Sequence, residues 1–137
     1  MGSCTKRTLC RRPTTTGGSS GWQAPEQLIA RSGGSVRQTR SMDIFSLGCV
    51  VHYCLTGGLH PFGGNFERDT NIMRGQPNLS ALSLSPEATN LVGAMLAKNP
   101  ASRPGMGAVL AHPFWWSVEQ RLAFLVDVSD RYGRAGM

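Results

Sequence analysis

A chain of 137 residues with 40% hydrophobic content is one domain or part of one, and it holds enough apolar material for a core. Its formal charge of +6 is uneven, because Lys6, Arg7, Arg11 and Arg12 all precede the first acidic residue, Glu26, which points to a basic loop or docking segment rather than a nucleic-acid surface. No run of 18 apolar residues excludes water as a membrane helix must, and the cysteines at 4, 10, 49 and 54 lack zinc-type spacing, which suits reduced thiols in a cytosolic setting.

Residues 1–21 carry Gly, Ser, Thr and basic side chains with almost nothing to bury, and they read as a loop. The first 20 are acid-free, as a transit peptide would be, yet they lack its amphipathic periodicity. Trp22-Gln23-Ala24-Pro25-Glu26 starts a short helical turn that runs to about Ala30, and a polar connection over 31–41 follows.

The stretch Asp43 to Leu55 is the organising element. Its apolar residues leave no polar face at 100° per residue, with only Ser46 and His52 as interruptions, so it reads as a helix buried on all sides. Asp43 caps its start and Thr56-Gly57-Gly58 stops it. A turn-rich stretch, Leu59 to Gly64, leads to a polar helix over Phe66 to Arg74 whose few anchors are Phe66, Ile72 and Met73.

Ser85-Pro86-Glu87 is a helix start with Ser as cap and Pro at the first position, and Leu91, Val92, Met95 and Leu96 follow at helical spacing. After Asn99-Pro100 and Arg103-Pro104 comes a weak helix holding Val109 and Leu110, poor at its start because of Gly105 and Gly107. Ser117 with Gln120 is a capping box for a last helix with a stripe of Val118, Leu122, Leu125 and Val126. The tail from Tyr132 is small and polar, and no convincing strand is present anywhere.

Four motifs in order point to a family. Gly18-Ser19-Ser20-Gly21-Trp22-Gln23-Ala24-Pro25-Glu26 resembles the end of a protein-kinase activation segment. Asp43-Ile44-Phe45-Ser46-Leu47-Gly48 looks like the start of the central helix of a kinase large lobe, and His60-Pro61-Phe62 follows at the expected distance. Asn99-Pro100 with Arg103-Pro104, then Leu110-Ala111-His112-Pro113-Phe114, resembles the last kinase signature. Phe114-Trp115-Trp116-Ser117 and Phe124 to Arg131 narrow the likeness to the inositol-requiring dual kinase/endoribonucleases, stress sensors of the endoplasmic reticulum, of plant or algal type. The resemblance covers about residues 18–131.

The implied fold is mainly α: the C-terminal part of a protein-kinase-like large lobe (22–116) after an activation-segment-like loop (1–21), running into the first helix of a kinase-extension ribonuclease domain (117–131), with a tail at 132–137. The resemblance gives Asp43 the role of accepting backbone amides of the catalytic loop, a charge-assisted anchor. It pairs Glu26 with Arg103 as a buried ion pair that pins the activation segment, and it makes Trp22, Ala24, Pro25 and Gly48 part of the structural motif. Ser19 stands where serine/threonine kinases carry a hydroxyl facing the catalytic loop, and Thr14, Thr15, Thr16 and Ser20 are the hydroxyls available for phosphorylation between molecules. Asn99 in place of Asp, and Gly105 in place of a capping Ser or Thr, depart from the family pattern and should weaken local structure.

Phosphoryl transfer needs a Gly-rich loop, a strand Lys, a catalytic Asp and Asn and a metal-binding Asp. The chain has no Gly-x-Gly-x-x-Gly, no His-Arg-Asp and no Asp-Phe-Gly. Expected here, therefore, are no catalytic, cofactor-binding or metal residues, with ATP and Mg belonging to the parent family. The function implied is a portion of a serine/threonine kinase/endoribonuclease that senses unfolded protein and signals by trans-autophosphorylation and RNA cleavage, inactive alone. A non-catalytic module binding a full-length kinase partner, or a portion of an ordinary Ser/Thr kinase, is the alternative. Its partners would be the rest of the kinase and the ribonuclease domain, in a homodimer or oligomer on the cytosolic face of the endoplasmic reticulum membrane. RNA would be met only through ribonuclease residues outside this sequence, and faces of Phe45, Val50 or Tyr53 left uncovered would promote association.

Overall fold

A computed structural model describes residues 19–34 and 36–135. It contains six α-helices: α1 Pro25–Arg31, α2 Arg40–Leu55, α3 Arg68–Arg74, α4 Pro86–Met95, α5 Met106–Leu110 and α6 Val118–Ala135. Short 3-10 turns occur at Ser80–Leu82, Pro100–Ser102 and Pro113–Trp115, and no strand is present among the described residues.

Helix α2 is the axis of the core. Met42, Phe45 and Cys49 on one side meet Phe62, Ile72, Val92 and Leu96, while Ile44 joins Leu91, Met95 and Val109. Close contact of α2 with α4 depends on Gly48, where an added Cβ would lie 2.9 Å from Met95 Cβ and 3.0 Å from Leu96 Cδ2. Phe45 and Phe62 stack at 5.6 Å between ring centroids.

Local chemistry explains most boundaries. Ser85 Oγ accepts from Ala88 N at 3.3 Å and Pro86 opens α4, so both start signals act as expected. Ser117 and Gln120 form the reciprocal capping box of α6, with Ser117 N donating to Gln120 Oε1 at 2.9 Å and Gln120 N to Ser117 Oγ at 3.3 Å. Gly75, at φ 71°, ends α3 in the left-handed conformation. Gly105 offers no side chain to cap α5, which is five residues long.

Several expectations need correction. Helix α2 starts at Arg40, so Asp43 lies inside the first turn and Thr39 holds the cap position without a side-chain hydrogen bond. The helix is not buried on all sides: Phe45 is fully enclosed, whereas Val50, Tyr53 and Leu55 are exposed. Phe66 is no anchor, because its side chain stands in solvent and Ile72 alone among the three named is buried. Asn99 does not weaken its turn, since its side chain accepts from Ala101 N at 3.0 Å and caps as an Asp would. Tyr132 belongs to α6, which continues to Ala135 instead of giving way to a tail. The α6 stripe forms, but Val118, Leu122, Leu125 and Val126 are more than half exposed.

Candidate functional site

The local turn Ser19-Ser20-Gly21-Trp22 delivers the chain to α1. Trp22 N donates to Ser19 O at 3.1 Å, and Gly21 takes φ 82°, which a side chain would strain. Gln27 Oε1 accepts from Ala24 N at 2.8 Å, closing the α1 start around Pro25 and aiming Glu26 toward the loop after α4.

Arg103 comes to meet it from 77 residues along the chain, with a side chain that is 0% exposed. Nη1 donates to Glu26 Oε1 at 2.7 Å and Nη2 to Oε2 at 2.8 Å, a fork-on-fork pair. The remaining donors are also used: Nε reaches Ala97 O at 2.7 Å, Nη1 Ser41 O at 2.9 Å and Nη2 Lys98 O at 3.1 Å. The guanidinium carbon lies 5.0 Å from the Phe45 ring centroid. One side chain thus ties α1, the start of α2 and the end of α4 together.

Trp22 is held from three sides. Ser46 Oγ of α2 donates to Trp22 O at 2.8 Å, and His60 and Tyr53 meet its ring edge-on at 4.6 and 5.6 Å. Arg68 lies 5.8 Å from its centroid. The packing roles of His52 and His60 are not evident from the motif and the helix that contain them. His60 Nδ1 accepts from Phe62 N at 3.1 Å, and His52 Nδ1 meets Leu59 O at 2.9 Å, which requires the proton on that nitrogen. Burial, with the Arg68 guanidinium adding to it, pushes His60 down to about 4. The available signal was His60-Pro61-Phe62 in the turn that follows the helix holding His52.

Asp43 and Ser19 face an open hollow of about 410 Å³, lined also by Trp22, Gln27, Gln38 and Ser46. Asp43 is exposed and accepts no hydrogen bond within the described residues. Ser19 and Ser20 are exposed, whereas Thr14, Thr15 and Thr16 lie outside the described residues. Ala24, Pro25 and Gly48 are buried where the two halves of the motif pack. Cys49 is buried and its thiol is pushed up to about 12 by burial, so it is inert.

Residues 1–115 match the protein kinase domain model. The chain belongs to the protein kinase domain family. It is 48% identical over 124 residues to the serine/threonine-protein kinase/endoribonuclease IRE1b of Arabidopsis thaliana, a match covering 90% of this chain and 14% of that protein. It is 39% identical over 127 residues to the sensor for unfolded proteins in the ER ire1 of Schizosaccharomyces pombe, covering 89% of this chain and 12% of that one. The chain is also similar to the structure of Rad53 1-466 in complex with AMP-PNP, with TM-score 0.58 and 27% identity over 71% of this chain and 26% of that one. This chain therefore spans about one-seventh of the length of that Arabidopsis relative.

Among the described residues, no three or more His, Cys, Asp or Glu side chains gather in one place. Among the described residues, no helix is long and apolar enough to cross a membrane.

Proposed function

We propose that this chain supplies the lower half of the kinase large lobe of a serine/threonine kinase/endoribonuclease that senses unfolded protein, with residues 22–116 in the lobe and 117–131 starting the ribonuclease domain. Its own work is structural. It seats the end of the activation segment (Ser19, Ser20) on a rigid base and presents Asp43 to the catalytic loop. ATP, Mg and RNA are handled by residues outside this sequence, within a homodimeric or oligomeric parent on the cytosolic face of the endoplasmic reticulum membrane. Phosphorylation of Thr14, Thr15, Thr16, Ser19 or Ser20 would add charge to the segment that Glu26 anchors.

The observation that carries this reading is the combination of a fully engaged Arg103–Glu26 lock with an unengaged Asp43 carboxylate beside it. An ion pair that uses the guanidinium so completely fixes the segment, while the exposed carboxylate at an open hollow has the form of an acceptor awaiting backbone amides. The exposed α6 stripe supports the continuation into a further domain, because four large apolar side chains in water are unfavourable without a cover.

The test is complementation. The chain alone should transfer no phosphate from ATP and cleave no RNA. Co-expressed with the preceding kinase portion of the Arabidopsis relative, it should restore phosphate transfer. Phosphate transfer by the chain alone, or failure of a co-purifying pair to transfer any, would refute the proposal.

A further inference from the structure

A hollow of about 340 Å³ lies where α6 leaves the lobe, lined by Glu87, Pro113, Trp116, Arg121, Phe124 and Leu125. Its apolar wall follows from how two neighbouring tryptophans divide. Trp115 Nε1 donates to Val109 O at 2.9 Å and its ring meets Phe114 edge-on at 4.6 Å, so that side chain belongs to the lobe. Trp116 Nε1 donates to Ala111 O at 3.2 Å, and its ring meets Phe124 of α6 at 5.4 Å with 60° between the planes. Phe124 and Leu125 remain more than half exposed, so the wall they form with Trp116 and Pro113 is uncovered.

The rim carries one cation and one anion. Arg121 Nη1 donates to Glu87 Oε1 at 3.2 Å, Nε to Trp116 O at 3.4 Å, and Nη2 to Pro113 O at 3.4 Å and Phe114 O at 3.5 Å. All four are longer than the 2.7 and 2.8 Å bonds that Arg103 makes to Glu26, which are of ordinary charge-assisted length. The Arg121 and Glu87 side chains are 44% and 38% exposed, so their pair is a weak surface contact that water screens. The Arg121 fork is thus spread over several weak acceptors instead of closing on one carboxylate.

The geometry points to a binding site for a small aromatic carboxylate, its ring in the angle between Trp116 and Phe124 and its carboxylate on the Arg121 fork. The apolar wall selects an arene. The volume stands at the lower end of the roughly 300–1,000 Å³ of ligand pockets, which suits a two-ring compound. Glu87 limits the charge, because a second anionic group would meet its carboxylate, so nucleotides and other polyanions are refused. The ligand carboxylate replaces Glu87 as the partner of Arg121 and offers two oxygens where Glu87 offers one. Once bound, the ligand joins α6 to the start of α4 and to the Pro113–Trp115 turn, which stiffens the joint between the lobe and its last helix. Every contact comes from a residue of this chain, so the inference does not rest on the functional reading above.

Titration of the full chain with 2-naphthoate, and with 2-naphthamide as its uncharged counterpart, tests the site by 1H–15N NMR. The Trp116 indole N–H is the reporter, and that of Trp22, held against His60 and Tyr53, is the control. The Trp116 signal should shift saturably with a Kd of about 1 mM or tighter, as ligand efficiency allows for about 13 non-hydrogen atoms, while Trp22 stays in place. The naphthamide should bind about fivefold more weakly, and Arg121→Gln should bring naphthoate to the same level. Glu87→Gln should tighten naphthoate about two- to fivefold, since it removes the competing carboxylate. A merely structural Glu87–Arg121 pair gives the opposite sign, because its loss loosens α6, so this variant decides the matter even if Arg121→Gln fails to fold. A Trp116 shift that does not saturate by about 5 mM, equal binding of the two compounds, or weaker binding to Glu87→Gln would overturn the site.

Discussion

Removing the Glu26 carboxylate is the sharpest perturbation that the structure allows. Arg103 cannot shed its proton, and its side chain is 0% exposed, so Glu26→Ala strands a buried cation. Breaking one side of a buried pair typically costs about 3–5 kcal/mol. Two features place this case at the lower end. Glu26 itself is 19% exposed, and Ala97 O, Lys98 O and Ser41 O stay on the guanidinium after the carboxylate has gone. The expected loss is about 3 kcal/mol for Glu26→Ala, and about 3–4 kcal/mol for Arg103→Ala, which orphans those three carbonyls. Arg103→Lys keeps the charge but not the fork and should cost about 2 kcal/mol. In the Arg103→Ala background, Glu26→Ala should cost only about 1 kcal/mol more, a coupling of about 2 kcal/mol. Urea unfolding followed by far-ultraviolet circular dichroism measures all four corners of the cycle. A Glu26→Ala cost under about 1 kcal/mol, with additive singles, would reduce the lock to an ordinary surface pair and refute the reasoning.

Other consequences are as direct. Gly48→Ala gains about 1 kcal/mol of helix propensity yet drives a methyl into Met95 Cβ at 2.9 Å, so the net effect on thermal unfolding should be a loss of about 1–2 kcal/mol. Gly107→Ala, with nothing within 4 Å of the new methyl, should instead stabilise by up to about 1 kcal/mol. His60 falls from 6.5 to about 4 on folding, so the unfolded chain binds the proton more tightly. Its contribution is complete above pH 6.5, is lost as pH falls toward 4, and amounts to no more than about 3 kcal/mol. Urea midpoints between pH 7 and 4 should show that slope, and His60→Gln should flatten it. Peptide-level alkylation should label the exposed Cys54 far faster than the buried Cys49, whose thiol sits at about 12, and equal rates would contradict the packing of α2.

The residues that fix the fold were largely legible. Ser85-Pro86 and the Ser117/Gln120 box announce helix starts by local chemistry alone, and they form as written. The Glu26–Arg103 lock was legible only through family resemblance, since no local rule joins residues 77 apart. Hydropathy overstated the burial of α2, because Val50, Tyr53 and Leu55 are apolar yet lie on the side of the helix that Phe45 and Cys49 do not face, where no described residue encloses them. Phe66 shows the same limit: an aromatic side chain at a helix start reads as an anchor, but its turn between Gly64 and Arg68 points it outward. The roles of His52 and His60 were hidden because their partners are backbone groups of Leu59 and Phe62, which leave no side-chain signature.

The central claim is that this fold is a kinase-lobe base that holds Asp43 ready for a catalytic loop. Its most direct test replaces the corresponding segment of the Arabidopsis relative with residues 19–116 and measures autophosphorylation of the folded chimera. The account predicts that the chimera transfers phosphate and that Asp43→Ala lowers the rate about a hundredfold without unfolding it, as misplacement of a catalytic loop would. A folded chimera that is inert, or one that is indifferent to Asp43, would contradict it.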